Sequence, residues 1–282
     1  MTAPKIAMLG LGSMNGAILA GLLGAGVPAE NITATTRTAA SAQAKADQYG
    51  VQVLAEESTA EANQRAAASA GVVFLGVKPP QITGLCAEIK DALKPGAVVA
   101  SVAAAVTVAM MEQALNPGQP VIRTMPNTPL SVGLGVVGLT PGRSTNQQHT
   151  EQVAQLLGTS GRVHVLPEEQ IDALTGVAGS GPAYAFYLAE HMAAAGVEMG
   201  LDPQLAADLA AQTIYGAGKM LVENLGAHDA AQLRRNVTSP NGTTQKAIET
   251  FDAADMGSAI RSGAQASSTR AAEITEELSA PQ

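Results

Sequence analysis

The stretch Ile6-Ala7-Met8-Leu9-Gly10-Leu11-Gly12-Ser13-Met14-Asn15-Gly16-Ala17 joins a short apolar run to a glycine turn, and the turn to a segment of helical character over residues 14–26. Gly10 permits a tight turn, and Gly12 lets the backbone approach a pyrophosphate with no Cβ in the way. The following helix points its unpaired N–H groups and positive dipole end at such an anion. The third glycine of the usual G-x-G-x-x-G spacing is replaced by Asn15. Taken alone a partial match is weak, since tight turns are glycine-rich for their own reasons. Its weight comes from the strand before it, the helix after it and the pattern downstream.

That pattern is an alternation. Apolar, β-branched runs at 6–9, 32–35, 51–54, 72–77, 97–102, 121–124, 134–139 and 162–166 read as strands, with helices between the early ones at 14–26, 39–49, 79–93 and 106–115. Near-continuous apolar strands separated by helices imply a doubly wound parallel sheet covered on both faces, an α/β Rossmann-like domain. The alternation stops near Pro167. Beyond it the chain reads as helix at 170–175, 182–199, 203–224, 230–235, 243–251 and 256–278. A boundary between residues 166 and 167 therefore separates a dinucleotide-binding domain (1–166) from an all-α domain (167–282). Residues 203–224 are apolar on almost every face, and a helix of that kind is buried all round. Either a partner subunit covers it or it lies at the centre of the monomer's own bundle; a domain of this size favours the partner.

Composition narrows the function. The 282 residues suffice for about two domains. With 16 basic and 24 acidic residues the net charge is −8, and rings make up only 2% of the chain, a poor surface for nucleic acid. The single cysteine, Cys86, cannot form an internal disulfide, so nothing calls for an oxidising compartment. The start, Met1-Thr2-Ala3-Pro4-Lys5, lacks the layout of a secretory signal. The uncharged stretches 95–111 and 124–142 are too short, or too broken by Pro and Gly, to span a bilayer. The expectation is a cytoplasmic protein with no nucleic-acid or membrane partner. Its four histidines are scattered without metal-like spacing, so no metal is expected.

The end of the second strand bears on the nucleotide. An NAD site places an Asp or Glu there for the ribose 2′-OH, but Glu30 precedes the strand, which ends Ala34-Thr35-Thr36-Arg37-Thr38. Hydroxyls and a guanidinium suit a 2′-phosphate, so NADPH is preferred with NADH still possible. Arg37 would equally serve as an exposed charge at a helix entry. Phe74-Leu75-Gly76-Val77-Lys78-Pro79 ends the fourth strand at the same rim, and Val102-Ala103-Ala104 follows the fifth. In Arg123-Thr124-Met125-Pro126-Asn127-Thr128-Pro129 two prolines fix an irregular loop, either a rigid turn or a site. In the helical half, Asn236-Val237-Thr238-Ser239-Pro240-Asn241-Gly242-Thr243-Thr244-Gln245-Lys246 opens the helix at 243 with more hydroxyls, amides and glycine than one N-cap requires. Such a helix start suits a small carboxylate.

Along essentially its whole length the chain resembles pyrroline-5-carboxylate reductase, the last enzyme of proline biosynthesis. The resemblance rests on Gly10-x-Gly12-x-Met14, Val77-Lys78-Pro79, Arg123-x-Met125-Pro126-Asn127-Thr128-Pro129, Gly179-Ser180-Gly181-Pro182-Ala183-Tyr184 and Val237-Thr238-Ser239-Pro240-x-Gly242-Thr243-Thr244, in that order. Asn241 and Asn15 depart from the family's pattern, which has Gly and a small residue there. The resemblance implies an NADPH-dependent oxidoreductase that reduces the C=N bond of Δ1-pyrroline-5-carboxylate to L-proline, assembled as a homodimer or a pentamer of dimers. It implies cofactor contacts at Leu9, Gly10, Leu11, Gly12, Ser13 and Met14, near Thr36, at Asn63, at Gly76, Val77, Lys78 and Pro79, and at Val102, Ala103 and Ala104. Arg37 joins them on its own chemistry. The substrate carboxylate falls to Val237, Ser239, Gly242, Thr243 and Thr244, with the Thr244 hydroxyl bonding the ring nitrogen as the catalytic group. Two other readings were weighed. A β-hydroxyacid-type reductase usually carries a lysine on the first long helix of its second domain, and residues 182–199 have none. A non-catalytic NADP sensor would have no use for the Ser/Thr loop.

Overall fold

The computed structural model describes residues 4–279; Met1 to Ala3, on which the reading of the N-terminus partly rests, and residues 280–282 lie outside the described residues. All eight expected strands form, in one sheet of order β3-β2-β1-β4-β5-β6-β7-β8. They are β1 (Ile6–Leu9), β2 (Ile32–Thr36), β3 (Gln52–Ala55), β4 (Val72–Leu75), β5 (Val98–Ser101), β6 (Val121–Pro126), β7 (Gly135–Pro141) and β8 (Gly161–Val165). The first six run parallel. The wholly parallel sheet expected from the alternation needs one correction: β7 pairs antiparallel with β6, Met125 opposite Gly138, and β8 follows β7 in parallel. The physical reason is the connection. Only eight residues, 127–134, link β6 to β7, too few for the crossover that a parallel neighbour requires.

Strand alternation divides the core. Ile6 and Met8 face one side with Phe74, Val98 and Ala100, under α1 (Ser13–Gly24). Ala7 and Leu9 face the other with Val73, Leu75 and Val99. The helices α2 (Ala39–Tyr49), α3 (Ala62–Ala67), α4 (Ile82–Ile89) and α5 (Val108–Ala114) fill the next crossovers, and α6 (Gln147–Gly158) leads into β8. Neither α3 nor α6 was among the expected helices. In α6 the side chain of Asn146 accepts from the His149 N–H as an N-cap, and Val153, Leu156 and Leu157 enter the core at helical spacing. Cys86 sits on α4, fully buried, and burial pushes its thiol up to about 12.

After β8 comes α7 (Ile171–Leu174), then a π-helical turn over Thr175–Gly179. The compact units part at Gly179–Ser180, and residues 267–279 group with the sheet unit. Residues 168–179 stay with the sheet because they are bolted to β6. The buried Arg123 guanidinium pairs with Glu168 at 3.0 Å and lies 3.9 Å from Asp172, and the Glu168 carboxylate also accepts from the Val108 N–H. Asn127 Nδ2 donates to the Ala178 carbonyl at 2.9 Å while its Oδ1 accepts from Val136 N–H at 2.8 Å. Of the two readings of the 123–129 loop, the amide of Asn127 is thus spent on a rigid turn.

The second unit, residues 180–266, is helical: α8 (Gly181–Glu198), α9 (Pro203–Glu223), α10 (Ala230–Asn236), α11 (Thr243–Ala253) and the first part of α12 (Met256–Ser279). Asp202 caps α9 by accepting from Gln204 and Leu205, just before Pro203 at the first helical position. Only Ala206 and Ala210 of α9 are buried, and Phe186 (67% exposed), Leu209 and Tyr215 (56%) face outward. This excludes the alternative in which α9 lies inside the monomer's own bundle. An apolar surface of this extent on a single chain marks a protein interface. Among the described residues no helix is long and apolar enough to cross a membrane.

Candidate functional site

The carboxyl ends of β1, β2, β4 and β5 meet at one rim, where chain order reverses between β1 and β4. That is the position at which doubly wound sheets bind their ligands. Gly10 leaves β1 at φ +77°, a left-handed conformation, and a Cβ there would lie 2.7 Å from Val77 Cγ1. Its glycine is required by the protein's own packing. Gly12 is different. Its φ is −84°, and a Cβ would meet nothing nearer than the Gly76 carbonyl oxygen at 3.9 Å. Nothing inside the chain demands glycine at 12; the open space in front of it does. Gly12 is also the N-cap of α1 and offers no side chain, so no side-chain oxygen takes the first N–H groups of the helix. These are the fit criteria of a pyrophosphate cradle: a bare backbone and free donors at a helix start.

The turn is held from behind. Gly10 N–H donates to Thr35 Oγ1 at 3.1 Å, Thr35 Oγ1 bonds Asn63 Oδ1 at 2.7 Å, and Asn63 Nδ2 reaches Glu88 at 3.1 Å. Asn63, expected as a cofactor contact, is 4% exposed, and its amide is engaged on both sides as a support for Gly10. Asn15 plays a similar part. Fully buried, it directs Nδ2 at the carbonyls of Leu9 (3.4 Å) and Gly10 (3.2 Å), pinning the end of β1, while its Oδ1 has no partner. The departure from a small residue at 15 is therefore filled by a backbone lock.

The other rim residues fall as follows. Leu9 and Leu11 are buried, Met14 is half-buried, and Ser13 is exposed at the start of α1. Gly76 docks its N–H on the Leu9 carbonyl, which carries Val77, Lys78 and Pro79 to the rim with Lys78 exposed. Val102 and Ala103 are buried and Ala104 is exposed; Ala105 next to it takes φ +63°. A β-carbon in that region is strained by roughly 1 kcal/mol, and such strain gathers at ligand sites. Thr36 is buried, and Arg37 is exposed beside it. Backbone N–H groups of Glu56 and Glu57 dock on the Thr36 and Arg37 carbonyls, and Glu57 Oε1 accepts from the Ala39 N–H of α2 at 2.5 Å.

In the helical unit the Ser/Thr loop is a surface feature. Val237, Ser239 and Thr243 are exposed, and Gly242 and Thr244 are half-buried. Gly242 is the N-cap of α11, whose first turn receives no side-chain cap. Thr238 turns back to the Arg234 carbonyl, while Ser239, Thr243 and Thr244 make no side-chain hydrogen bond among the described residues. Simple capping thus does not account for them. Asn241 stands at φ +58°, the left-handed region, with its N–H on Gln245 Oε1. Asn tolerates this where most residues do not, so the loop keeps its bend without the family's glycine.

A family model described as pyrroline-5-carboxylate reductase dimerisation matches residues 168–274, and one described as NADP oxidoreductase, coenzyme F420-dependent, matches residues 5–105. The chain is 39% identical over 279 residues to the pyrroline-5-carboxylate reductase of Pseudomonas aeruginosa, covering 99% of both chains. It belongs to the pyrroline-5-carboxylate reductase family. The Bacillus subtilis pyrroline-5-carboxylate reductase 1 is 35% identical, covering 97% of this chain and 90% of that one. The solved reductase of Coxiella burnetii superposes with a TM-score of 0.88 at 32% identity, over 96% of this chain and 98% of that chain. A Plasmodium falciparum pyrroline carboxylate reductase solved with NADP bound shares the fold at TM-score 0.84 and 22% identity, over 98% and 99%.

Within this family's frame, sequence reasoning missed Thr35 and Glu88, which hold Gly10 and Asn63, and the strained Ala105. No spacing rule points to the first two, because they join α3, α4 and β2 only in the fold. A cavity of about 530 Å³ lined by Val108, Glu112, Gly142, Arg143, Pro167 and Glu168 contains none of the expected site residues. Its polar groups are engaged with each other, as in Glu112 accepting from Arg143 N–H at 2.7 Å.

Proposed function

We propose that this chain reduces the C=N bond of Δ1-pyrroline-5-carboxylate to L-proline with NADPH as the hydride donor. The observation that carries the reading is the end-to-end match to enzymes of that name, which takes in both the glycine turn and the Ser/Thr loop. When bound, the reduced nicotinamide supplies a hydride to the imine carbon. The chain's own work is to hold and aim. The Gly10–Met14 turn offers bare N–H groups to the pyrophosphate, with Thr36 and Arg37 toward the 2′-phosphate and Gly76 to Pro79 and Val102 to Ala104 bordering the nicotinamide end. The uncapped start of α11 holds the substrate carboxylate through Ser239, Gly242 and Thr243, next to Val237. The Thr244 hydroxyl bonds the ring nitrogen, whose proton is either taken up before hydride transfer or supplied by a nearby hydroxyl or water as the C–H bond forms. Orientation of this kind supplies several kcal/mol without a dedicated acid or base, roughly 7 or more in favourable cases.

The oligomer follows from the helical unit. Its exposed apolar helices and its match to a dimerisation model support a homodimer, which we extend to a pentamer of dimers as a second level of assembly. The lone, buried, reduced Cys86 is in keeping with a cytoplasmic setting. Mixing the protein with NADPH and Δ1-pyrroline-5-carboxylate tests the activity. The expected outcome is loss of NADPH absorbance with one L-proline formed per cofactor consumed. Tight NADPH binding with no consumption on adding the imine would overturn it.

A further inference from the structure

The turn after β3 brings a carboxylate to the place where the sequence alone puts a phosphate site. Glu57 is fixed there by two contacts. Its own N–H donates to the Arg37 carbonyl at 3.1 Å, and its Oε1 accepts from the Ala39 N–H at 2.5 Å, the first residue of α2. Its neighbour Glu56 is tied in turn to the Thr36 carbonyl at 2.9 Å. Thr38 already caps α2 by accepting from the Ser41 N–H at 3.2 Å. Glu57 takes a second, separate donor of the same helix start, so its charge lies against the opening turn of α2, beside Thr36 and Arg37. Arg37 forms no ion pair among the described residues to neutralise it.

We infer that Glu57 is a specificity-determining residue that weakens the preference for NADPH from inside the 2′-phosphate subsite. The inference rests on the proposed placement of that phosphate at Thr36 and Arg37, and takes it one step further, onto the adjoining start of α2. Two negative groups cannot share the Ala39 N–H, so the phosphate must displace the carboxylate and stay close to it. NADH meets no such opposition: its ribose carries a 2′-hydroxyl, for which a carboxylate is a natural acceptor. This chain thus takes its acidic residue from the end of β3 instead of the end of β2, where NAD sites usually carry it. Arg37 and Glu57 then pull cofactor choice in opposite directions.

The test is binding, read by calorimetry on the intact protein with NADPH and NADH in turn. Glu57→Gln retains an acceptor oxygen for the Ala39 N–H and removes only the charge. It is expected to raise the NADPH-over-NADH affinity ratio roughly three- to fivefold, the scale of one exposed charge interaction. The shift should shrink in high salt, and 2′,5′-ADP should gain over 5′-AMP by a similar factor. An unchanged or lower ratio overturns the inference. Arg37→Ala separates the two claims: if it lowers the ratio while Glu57→Gln does not raise it, the phosphate reading stands and the role of Glu57 falls. If neither variant moves the ratio, both fall.

Discussion

The glycine turn of the sheet unit and the Ser/Thr loop of the helical unit use one device, the donor-rich start of a helix, under opposite conditions. The turn is fixed before any ligand arrives. Gly10 is locked by φ and by Val77, its N–H is bonded to Thr35, and Asn15 grips the carbonyls on either side of the strand end. The loop around Thr244 is largely exposed, the hydroxyls of Ser239, Thr243 and Thr244 make no hydrogen bond among the described residues, and α11 begins with no side-chain cap. The difference is one of source. A turn on the central strand of a sheet draws order from the core around it, whereas a loop on a unit with almost no buried residues must draw it from ligand or partner. Preorganisation cuts the cost of binding, so under the proposed function the rigid turn suits a cofactor that every cycle must reload and the looser loop suits a small substrate.

Three substitutions would break or sharpen that contrast. Gly10→Ala should have the largest effect, because it forces a β-carbon into the left-handed region and onto Val77. Together these should cost about 2 to 4 kcal/mol, measured as a fall in the urea midpoint with NADPH binding lost as well. If stability held, the turn would not be the pre-fixed element described here. Thr244→Ala comes next. It should lower kcat about 100-fold while the NADPH dissociation constant shifts only slightly, since the loop is not part of the turn. Full activity in that variant would remove the role given to its hydroxyl. Gly12→Ala is the subtlest. Its added methyl meets no protein atom within 3.9 Å, so stability should change by less than about 1 kcal/mol. NADPH binding should nonetheless weaken about tenfold, as the methyl enters the space kept for the pyrophosphate. Equal damage to binding by Gly12→Ala and to stability by Gly10→Ala would show one glycine serving the ligand and the other the fold.

The legible part of the molecule was the part written in local pattern. Apolar runs gave the eight strands, and the long helices of the second unit, with Pro203 and Pro182 near their starts, were marked by residue type. What escaped was set by partners distant in sequence. The reversal of β7 depends on the length of the connection. Residues 168–179 remain with the sheet through Arg123, Glu168, Asp172 and Asn127, four polar residues whose partners lie 45 or more positions away. Helix α3 is six residues of Ala, Asn, Gln and Arg with no amphipathic stripe long enough to recognise. The site followed the same division. The glycine fingerprint and the hydroxyl loop were visible as motifs, while the link of Asn63 to Thr35 and Glu88 exists only after folding. Glu57 has no sequence signal at all, since a carboxylate in a turn after an edge strand is ordinary until α2 is seen against it.

The lone sulfhydryl on α4 gives the sheet unit a built-in clock. A thiol reacts as its thiolate, and with its pKa pushed up to about 12 by full burial Cys86 is chemically silent while the fold is closed. It becomes reactive only when α4 lifts from the strands beneath it. The pace at which an alkylating reagent marks the wild-type protein is therefore expected to follow how often that helix opens, a local readout of the sheet unit's stability taken at one buried residue.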